Sequence, residues 1–208
     1  MGRGLWSKAG QLGLLCTDIP EEYGGGGGDF RHEVVLTQSH AYKMAGGFSN
    51  SVHSAIVAHY ILRYATEWQK KKWLPKMASG EMIGAIAMSE PGAGSDLASA
   101  SCRAERDGDE WVLNGQKVWT SGALHSTRGM LVARTDIDQP KHKGLTYFIV
   151  DLEQPGVEIR PIKQMNGMAH FNEVFFTDAR VSDADRVSDV NNGWAITTAT
   201  LGFERSGL

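Results

Sequence analysis

Cysteine is scarce in this chain of 208 residues, which contains only Cys16 and Cys102. The two residues are far apart and form no CxxC motif, so the sequence offers no paired-cysteine site. We expect both thiols to act as small apolar side chains in a protein of a reducing compartment.

Long apolar runs are also missing from the sequence. No stretch approaches the roughly 20 apolar residues that a membrane-spanning helix needs. The first ten residues, MGRGLWSKAG, lack the apolar segment of a secretion signal. These absences predict a soluble protein without a membrane span, located in the cytoplasm or, if the source is a eukaryote, alternatively in the mitochondrial matrix.

An excess of charge of one sign is absent as well, since the formal net charge is −3. Such a balance gives no broad attraction for nucleic acid or an anionic membrane, so neither is expected as a partner. The only basic cluster, Lys70-Lys71-Lys72, lies between Trp68 and Trp73, where a solvated helix face explains it. The seven histidines show no metal-ligand spacing, and no metal site is predicted.

Glycine, in contrast, is abundant, and the segment EEYGGGGGDF at 21–30 has five glycines in a row. A glycine-rich loop binds phosphate when a strand leads into it and a helix begins directly behind it. That context is missing here, and two acidic residues precede the run. A plain loop is therefore the favoured interpretation, with a phosphate loop as the alternative.

Helical spacing of apolar residues characterises the first part of the chain. It predicts a helix before Pro20, a helix from Phe30 towards Gly46-Gly47 capped by Asp29, and a helix over about 49–64. The residues Thr66-Glu67-Trp68-Gln69 have the capping-box pattern of a fourth helix.

From about Glu81 the pattern changes to short β-rich runs separated by turn residues. Asn114-Gly115, between two apolar runs, predicts a hairpin with a type I′ turn. The predicted fold class is α+β, with an N-terminal helical domain, a small antiparallel β-barrel or sandwich domain, and the start of a C-terminal helical domain. The predicted boundaries are 1–82, 83–187 and 188–208.

Two stretches could carry chemistry. In the first, an apolar run leads into Met88-Ser89-Glu90-Pro91-Gly92-Ala93-Gly94-Ser95-Asp96, a turn whose amides and hydroxyls could bind a polar ring edge or an anion. In the second, Trp119 and Ser121 of VWTSG share a face if side chains alternate regularly, and could hold a flat ring. The structural alternatives are a tight bend capped by Ser95 and Asp96, and a core tryptophan with an incidental serine.

Taken together, these stretches resemble the acyl-CoA dehydrogenase family. AMSEPGAGSD is followed 23 residues after its last aspartate by WTSG, close to the family's TEPGAGSD and WITN. Further ordered matches are LGLLCTDIPEEYGGGGG, YATEWQKKKWLPKMASGE, DGDEWVLNGQKVWTSG, KGLTYFIVD, NEVFFTDARV and NNGWAITTATLGFER. The resemblance covers nearly the whole chain, and it implies that the glycine run belongs to a loop of the helical domain and does not hold the cofactor.

The resemblance implies an enzyme of lipid metabolism and β-oxidation that binds FAD non-covalently and oxidises acyl-CoA thioesters to trans-2-enoyl-CoA. By the same resemblance, Met88 and Ser89 would bind the flavin edge, and Trp119 would pack on the ring. Ser121, which replaces the usual threonine, would reach towards flavin N5, and Ser95 would contact both the cofactor and the pantetheine arm of the substrate.

The catalytic base is implied by a helix motif ending in Glu-Arg, which resembles the isovaleryl-CoA and long-chain group of the family. Here Gly202-Phe203-Glu204-Arg205 has this pattern, so Glu204 would be the base and Arg205 its structural or substrate-contacting neighbour. An ordinary surface pair on a helix is the alternative. The family has aspartate where this chain has Gly202, which removes a usual contact to the adenine end of CoA.

The implied partners are an acyl-CoA substrate, an electron-transfer flavoprotein, and further subunits of a homo- or hetero-oligomer. Because the C-terminal helical domain is expected to be truncated, we expect these 208 residues alone to bind FAD weakly and turn over slowly. The alternatives are an acyl-CoA oxidase or flavin monooxygenase on the same scaffold, and a non-catalytic partner subunit or inactive fragment.

Overall fold

The computed structural model describes residues 2–44, 48 and 50–207, and for residues 200, 201 and 203–207 only their place in a helix is described. The chain divides into two compact units. The first comprises Met1–Gly84 and Thr200–Leu208, and the second comprises Ala85–Ala199.

Helices dominate the described part of the first unit. The α-helices are α1 (Arg3–Gln11), α2 (Phe30–Tyr42), α3 (Ala58–Tyr64) and α4 (Glu67–Ala78), and the π-helix Ser51–Val57 leads directly into α3. The last helix of the chain, α5, covers Gly193–Gly207.

The predicted helix starts are confirmed where a local cap determines them. The Asp29 carboxylate accepts the N–H of Arg31 at the start of α2. The Thr66 hydroxyl accepts the N–H of Gln69 at 3.2 Å, while the Gln69 side chain accepts the N–H of Thr66 at 2.9 Å. The helix ends differ from the predictions, since α1 ends at Gln11 and α2 at Tyr42. The predicted extensions to Gly46-Gly47 and Ser49 lie outside the described residues.

The glycine run has the structure of a closed loop. The N–H groups of its five glycines all donate to backbone carbonyls of residues 16–21 at 2.8–3.3 Å, so none is available to hold a phosphate. A side chain at Gly25 would place its Cβ 2.2 Å from the carbonyl oxygen of Ile19, which explains why glycine is needed there. The interpretation as a plain loop is confirmed.

The second unit is built on an eight-stranded sheet. Its strands are β1 (Gly84–Ala87), β2 (Arg103–Asp107), β3 (Glu110–Ser121), β4 (Arg128–Arg134), β5 (Leu145–Asp151), β6 (Val157–Pro161), β7 (Phe171–Ser182) and β8 (Arg186–Val187). The order is β6-β7-β3-β2-β4-β5-β8, and β1 pairs with β4. Along this path β2 and β4 run parallel, and the other neighbours are antiparallel.

The α+β fold class is confirmed, with one correction. The sheet is open, because its path ends at β6 and β8, so the barrel, one of the two predicted forms, is wrong. Its core is formed by inward-facing apolar side chains, among them Trp111, Leu113, Phe148, Val150, Val174 and Phe176.

The predicted hairpin at Asn114-Gly115 is also wrong. These residues lie inside β3, at a register shift against β7, and the turn into β3 is made by Gly108 instead. The Asn114 side chain bonds Asp178 twice across the two strands, and a Cβ on Gly115 would come within 2.7 Å of Cys102 Cα. Tertiary pairing has therefore placed Asn-Gly opposite a bulge of β7, where Thr177 and Asp178 face the single residue Asn114.

Both cysteines are free and buried. Burial raises the pKa of the Cys16 thiol to about 12 and that of the Cys102 thiol to about 11, which confirms their expected role as apolar side chains. Among the described residues, no helix combines the length and apolar character that crossing a bilayer demands.

Candidate functional site

The first predicted stretch directly follows β1 and is fastened to β3. The carbonyl oxygen of Ser89 accepts the N–H of Val118 at 2.9 Å. Glu90 and Ala93 then exchange backbone hydrogen bonds of 3.1 and 3.2 Å, which close the turn at Pro91-Gly92. The structure therefore brings Met88 and Ser89 next to the end of β3 that carries Trp119.

Trp119 lies at a break in the strand. Its φ angle is +62°, and the β3–β7 register shifts between Lys117 and Thr120. Trp119 is 59% exposed, and its indole contacts Phe171 edge to face with ring centroids 5.9 Å apart. The bulge thus turns a large aromatic ring outwards from a strand that is otherwise part of the core.

Ser121 reaches the same surface, for a reason other than the one predicted. Side chains of β3 do not alternate regularly between the two faces of the sheet at Trp119, because the left-handed backbone and the bulge interrupt the strand there. Instead, Ser121 lies directly opposite Phe171 in the β3–β7 register, and directly opposite residues project from the same face. Phe171 is therefore a common neighbour of the two residues, through its ring contact with Trp119 and its register pairing with Ser121.

The serines of the two stretches have spare hydrogen-bonding capacity. Among the described residues, the hydroxyls of Ser89, Ser95 and Ser121 have no hydrogen-bond partner, and neither has the N–H of Ser89. Ser99 differs, because its hydroxyl donates to Asp96. Ser95 is exposed on the loop beyond the turn, and no hydrogen bond joins it to the other predicted site residues in the described part of the chain.

The two residues predicted to carry the proton transfer lie on the last helix. Glu204 and Arg205 belong to α5, but their side chains lie outside the described residues. Their roles therefore stay predictions.

A buried ion pair beneath Met88 was missed by the sequence analysis. The fully buried Lys117 ammonium donates to Glu90 Oε1 at 2.7 Å and to the carbonyl oxygen of Met88 at 2.9 Å. Glu90 is buried as well, and it accepts three more hydrogen bonds, from the N–H and hydroxyl of Ser101 and from the N–H of Cys102. The Tyr147 hydroxyl donates to the Met88 sulfur at 2.7 Å.

The electrostatics of the pair favour the charged form of Glu90. Burial by itself raises the pKa of Glu90, but the charge and hydrogen bond of Lys117, with the amides of Ser101 and Cys102, outweigh it and lower the pKa below its usual value. A sequence signal for the pair existed, because Lys117 has the same parity along β3 as the core residues Trp111 and Leu113. A lysine at an inward strand position needs a buried partner.

The arrangement suits a flat heteroaromatic ligand. The exposed indole offers a surface on which a ring can stack. The Ser89 N–H and the Ser89 and Ser121 hydroxyls offer donors and acceptors for the polar edge of such a ring. The Met88–Ser89 peptide is fixed on its carbonyl side by Lys117, so its orientation is set before any ligand arrives.

Comparisons with known proteins match both units of the chain. Residues 1–81 match the acyl-CoA dehydrogenase N-terminal domain, and residues 85–179 match the acyl-CoA dehydrogenase middle domain. The acyl-CoA dehydrogenase IpdE1 of Mycobacterium tuberculosis is 43% identical over 205 residues, which are 98% of this chain and 53% of that protein. The mitochondrial long-chain specific acyl-CoA dehydrogenase of Sus scrofa is 38% identical, over 99% of this chain and 48% of that protein.

Solved structures agree with these sequence matches. An acyl-CoA dehydrogenase from Geobacillus kaustophilus has a TM-score of 0.93 and 36% identity, covering 99% of this chain and 55% of its own. The ChsE4–ChsE5 complex from Mycobacterium tuberculosis has a TM-score of 0.87 and 35% identity, covering 97% of this chain and 51% of its own. The chain thus spans about half the length of the curated relatives it matches.

Proposed function

Because the chain belongs to the acyl-CoA dehydrogenase family, we propose that it takes part in FAD-dependent α,β-dehydrogenation of an acyl-CoA thioester to the trans-2-enoyl-CoA. The observation that carries the proposal is the exposed Trp119 indole next to the Ser89 peptide, whose N–H has no partner among the described residues. A flat ring with a polar edge is the ligand that such a pair accommodates.

The residues present fit FAD. Trp119 would stack on the isoalloxazine, Met88 and Ser89 would bind its pyrimidine edge, and the Ser121 hydroxyl would bind near N5. Serine has the hydroxyl of the family's usual threonine but not its methyl group, so χ1 is less restricted at this position. Ser95, exposed on the following loop, would contact the cofactor and the pantetheine arm of the substrate.

The proton transfer is assigned to Glu204, with Arg205 as its structural or substrate-contacting neighbour. A glutamate near its ordinary pKa of about 4.3 is a weak base for an α-proton, so burial beside the acyl chain must raise that pKa. Hydrogen bonds to the thioester oxygen must stabilise the enolate as it forms. When bound, FAD would supply the redox chemistry, in which the β-hydrogen leaves the substrate as hydride.

The substrate class is an acyl-CoA thioester, and the electron acceptor is an electron-transfer flavoprotein. The relatives' names cover a long-chain specific enzyme and a two-component complex, so we include both straight-chain substrates and a hetero-oligomeric assembly in the proposal. The proposal concerns the polypeptide as its gene encodes it, including any sequence that flanks these 208 residues.

The test is anaerobic flavin bleaching by a panel of straight-chain, branched and steroid-derived acyl-CoAs. We expect at least one of them to bleach the bound flavin, and Glu204→Gln to slow the bleaching by roughly 10²- to 10⁴-fold while FAD stays bound. Glu158→Gln, which changes an exposed carboxylate on β6, is the matched control. A protein that binds no FAD would contradict the proposal.

Three further results distinguish the alternative functions. Hydrogen peroxide formation under air, without transfer to an electron-transfer flavoprotein, identifies an oxidase. Unchanged bleaching by Glu204→Gln contradicts the assignment of the base. Activity that appears only when a second subunit is added, and that survives Glu204→Gln, identifies a supporting subunit.

A further inference from the structure

The Met88–Ser89 peptide group is held from one side only. Its carbonyl oxygen accepts a 2.9 Å hydrogen bond from the buried Lys117 ammonium. Its other polar atom, the Ser89 N–H, has no partner among the described residues. The two atoms belong to one planar, conjugated unit, so what binds the oxygen also orients the N–H.

Lys117 is suited to this role because it has no freedom of its own. The side chain is fully buried, and the same ammonium bonds Glu90 at 2.7 Å. Glu90 is held in turn by Ser101 and Cys102, whose backbone N–H groups donate at 2.7 and 2.9 Å. A chain of short bonds therefore runs from the loop before β2 to the Met88 carbonyl.

The bond has an electronic consequence as well as a steric one. A charge-assisted hydrogen bond to a carbonyl withdraws electron density from the whole peptide, which makes its N–H a stronger donor. In a low-dielectric interior this effect is larger than in water. The Ser89 N–H should therefore be a better donor than an ordinary backbone amide.

Lys117 also joins the two halves of the candidate site. It lies on β3 two residues before Trp119, and it reaches across to Met88. The neighbouring bond from the Val118 N–H to the Ser89 carbonyl fastens the same two segments.

We propose that Lys117, anchored by Glu90, is a positioning residue that presents the Ser89 N–H to the polar edge of the flavin and strengthens it as a donor. This inference rests on the proposed function, because it assumes that the ring bound beside Trp119 is a flavin. It adds two residues to the site that do not touch the cofactor themselves.

The experiment compares Lys117→Met with Leu113→Ala, in the chain expressed with any flanking sequence of its gene. Lys117→Met removes the donor to the Met88 carbonyl. Leu113→Ala is the control, because it removes core packing on the same strand, where Leu113 is paired with β2 and β7. Both should lower the melting temperature by roughly 10 °C. Only Lys117→Met should weaken FAD binding, by about tenfold or more, and shift the visible flavin spectrum.

The midpoint potential gives a second readout. The reduced flavin carries more negative charge at its polar edge, so a weaker Ser89 donor should make the potential of Lys117→Met more negative than that of Leu113→Ala. Equal FAD affinity, spectrum and potential in the two variants would show that Lys117 acts through stability alone and would overturn the inference.

A double variant covers the case in which Lys117→Met does not fold. Lys117→Met with Glu90→Gln leaves no unpaired buried charge, so stability should largely return. The loss of FAD affinity should persist, and its recovery to the Leu113→Ala value would overturn the inference. If the unmodified protein binds no FAD, the proposed function fails and the inference fails with it. If it binds FAD and the two variants behave alike, only the inference fails.

Discussion

Lowering the pH from 8 to 5 should destabilise the first unit through a single histidine, His53. Its imidazole is fully buried, and both ring nitrogens are used. Nε2 donates to the carbonyl oxygen of Met77 at 3.1 Å, and Nδ1 accepts the N–H of Gly84 at 3.1 Å. A second ring proton would have to sit on Nδ1, where it would face the Gly84 N–H.

The size of the stability loss follows from the difference between the pKa of His53 in the folded protein and in the unfolded chain. Burial lowers the pKa of His53 from its ordinary 6.5 to about 4 in the folded protein. As the pH falls, the unfolded chain therefore binds the proton first, and stability that is fully present above pH 6.5 is lost progressively down to pH 4. At about 1.4 kcal/mol per pKa unit, the loss is about 2 kcal/mol at pH 5 and about 3 kcal/mol at pH 4.

The assay is urea unfolding at pH 8 and pH 5 for the unmodified protein and for His53→Gln. The unmodified protein should lose about 2 kcal/mol more than the variant over this interval, because glutamine does not titrate. An NMR titration of the His53 ring provides the direct check. Equal losses in the two proteins, or a ring that titrates near pH 6.5 in the folded state, would refute the reasoning.

Two further outcomes test the packing of the two units. A Cβ on Gly10 would lie 2.2 Å from the Ser79 carbonyl oxygen, so Gly10→Ala should lower the melting temperature. A Cβ on Gly4, in the same helix, meets no atom within 4 Å, so Gly4→Ala should stabilise the protein by up to about 1 kcal/mol. Similar shifts of the melting temperature in the two variants would contradict this reasoning. The hydrogen bond from Arg186, together with that from Trp111, lowers the pKa of Asp183 to about 2. The stabilisation that the Asp183 carboxylate gives the folded protein should be present above pH 3.8 and lost as the pH falls towards 2. If the melting temperature of Asp183→Asn falls with pH as much as that of the unmodified protein, this prediction is wrong.

Local signals were sufficient for some elements and not for others. The cap at Thr66 could be predicted because its partner Gln69 is three residues away and both bonds form within one turn. The hairpin at Asn114-Gly115 could not, because the outcome depends on Asp178 and Cys102, which pack there from other segments. Asn-Gly lies here inside a strand, opposite a bulge of β7, so the dipeptide that favours a turn is not confined to turns.

The candidate site divides in the same way. The motifs predicted Met88, Ser89, Trp119 and Ser121, and the structure joins their two segments through the Ser89–Val118 bond, while Trp119 and Ser121 share Phe171 as a neighbour. The Lys117–Glu90 pair joins residues 27 positions apart, and neither partner forms part of a spacing pattern that predicts the other. Only the strand position of Lys117 showed that such a partner was required.

The backbone of Trp119 offers an independent reason to place function at this point of the sheet. A left-handed φ costs a non-glycine residue about 1–2 kcal/mol, and a large aromatic side chain gains nothing from the exposure that accompanies it here. The strand holds this conformation because it is fixed on both sides of the break, by Lys117 before it and by the Asn172 side chain, which donates to the Thr120 carbonyl at 3.0 Å, after it. Bulges and strained residues concentrate where a side chain must be aimed at a ligand. A Trp119→Gly variant should therefore be less destabilised than the loss of an aromatic side chain predicts, since it relieves the φ strain, while losing most of its FAD affinity.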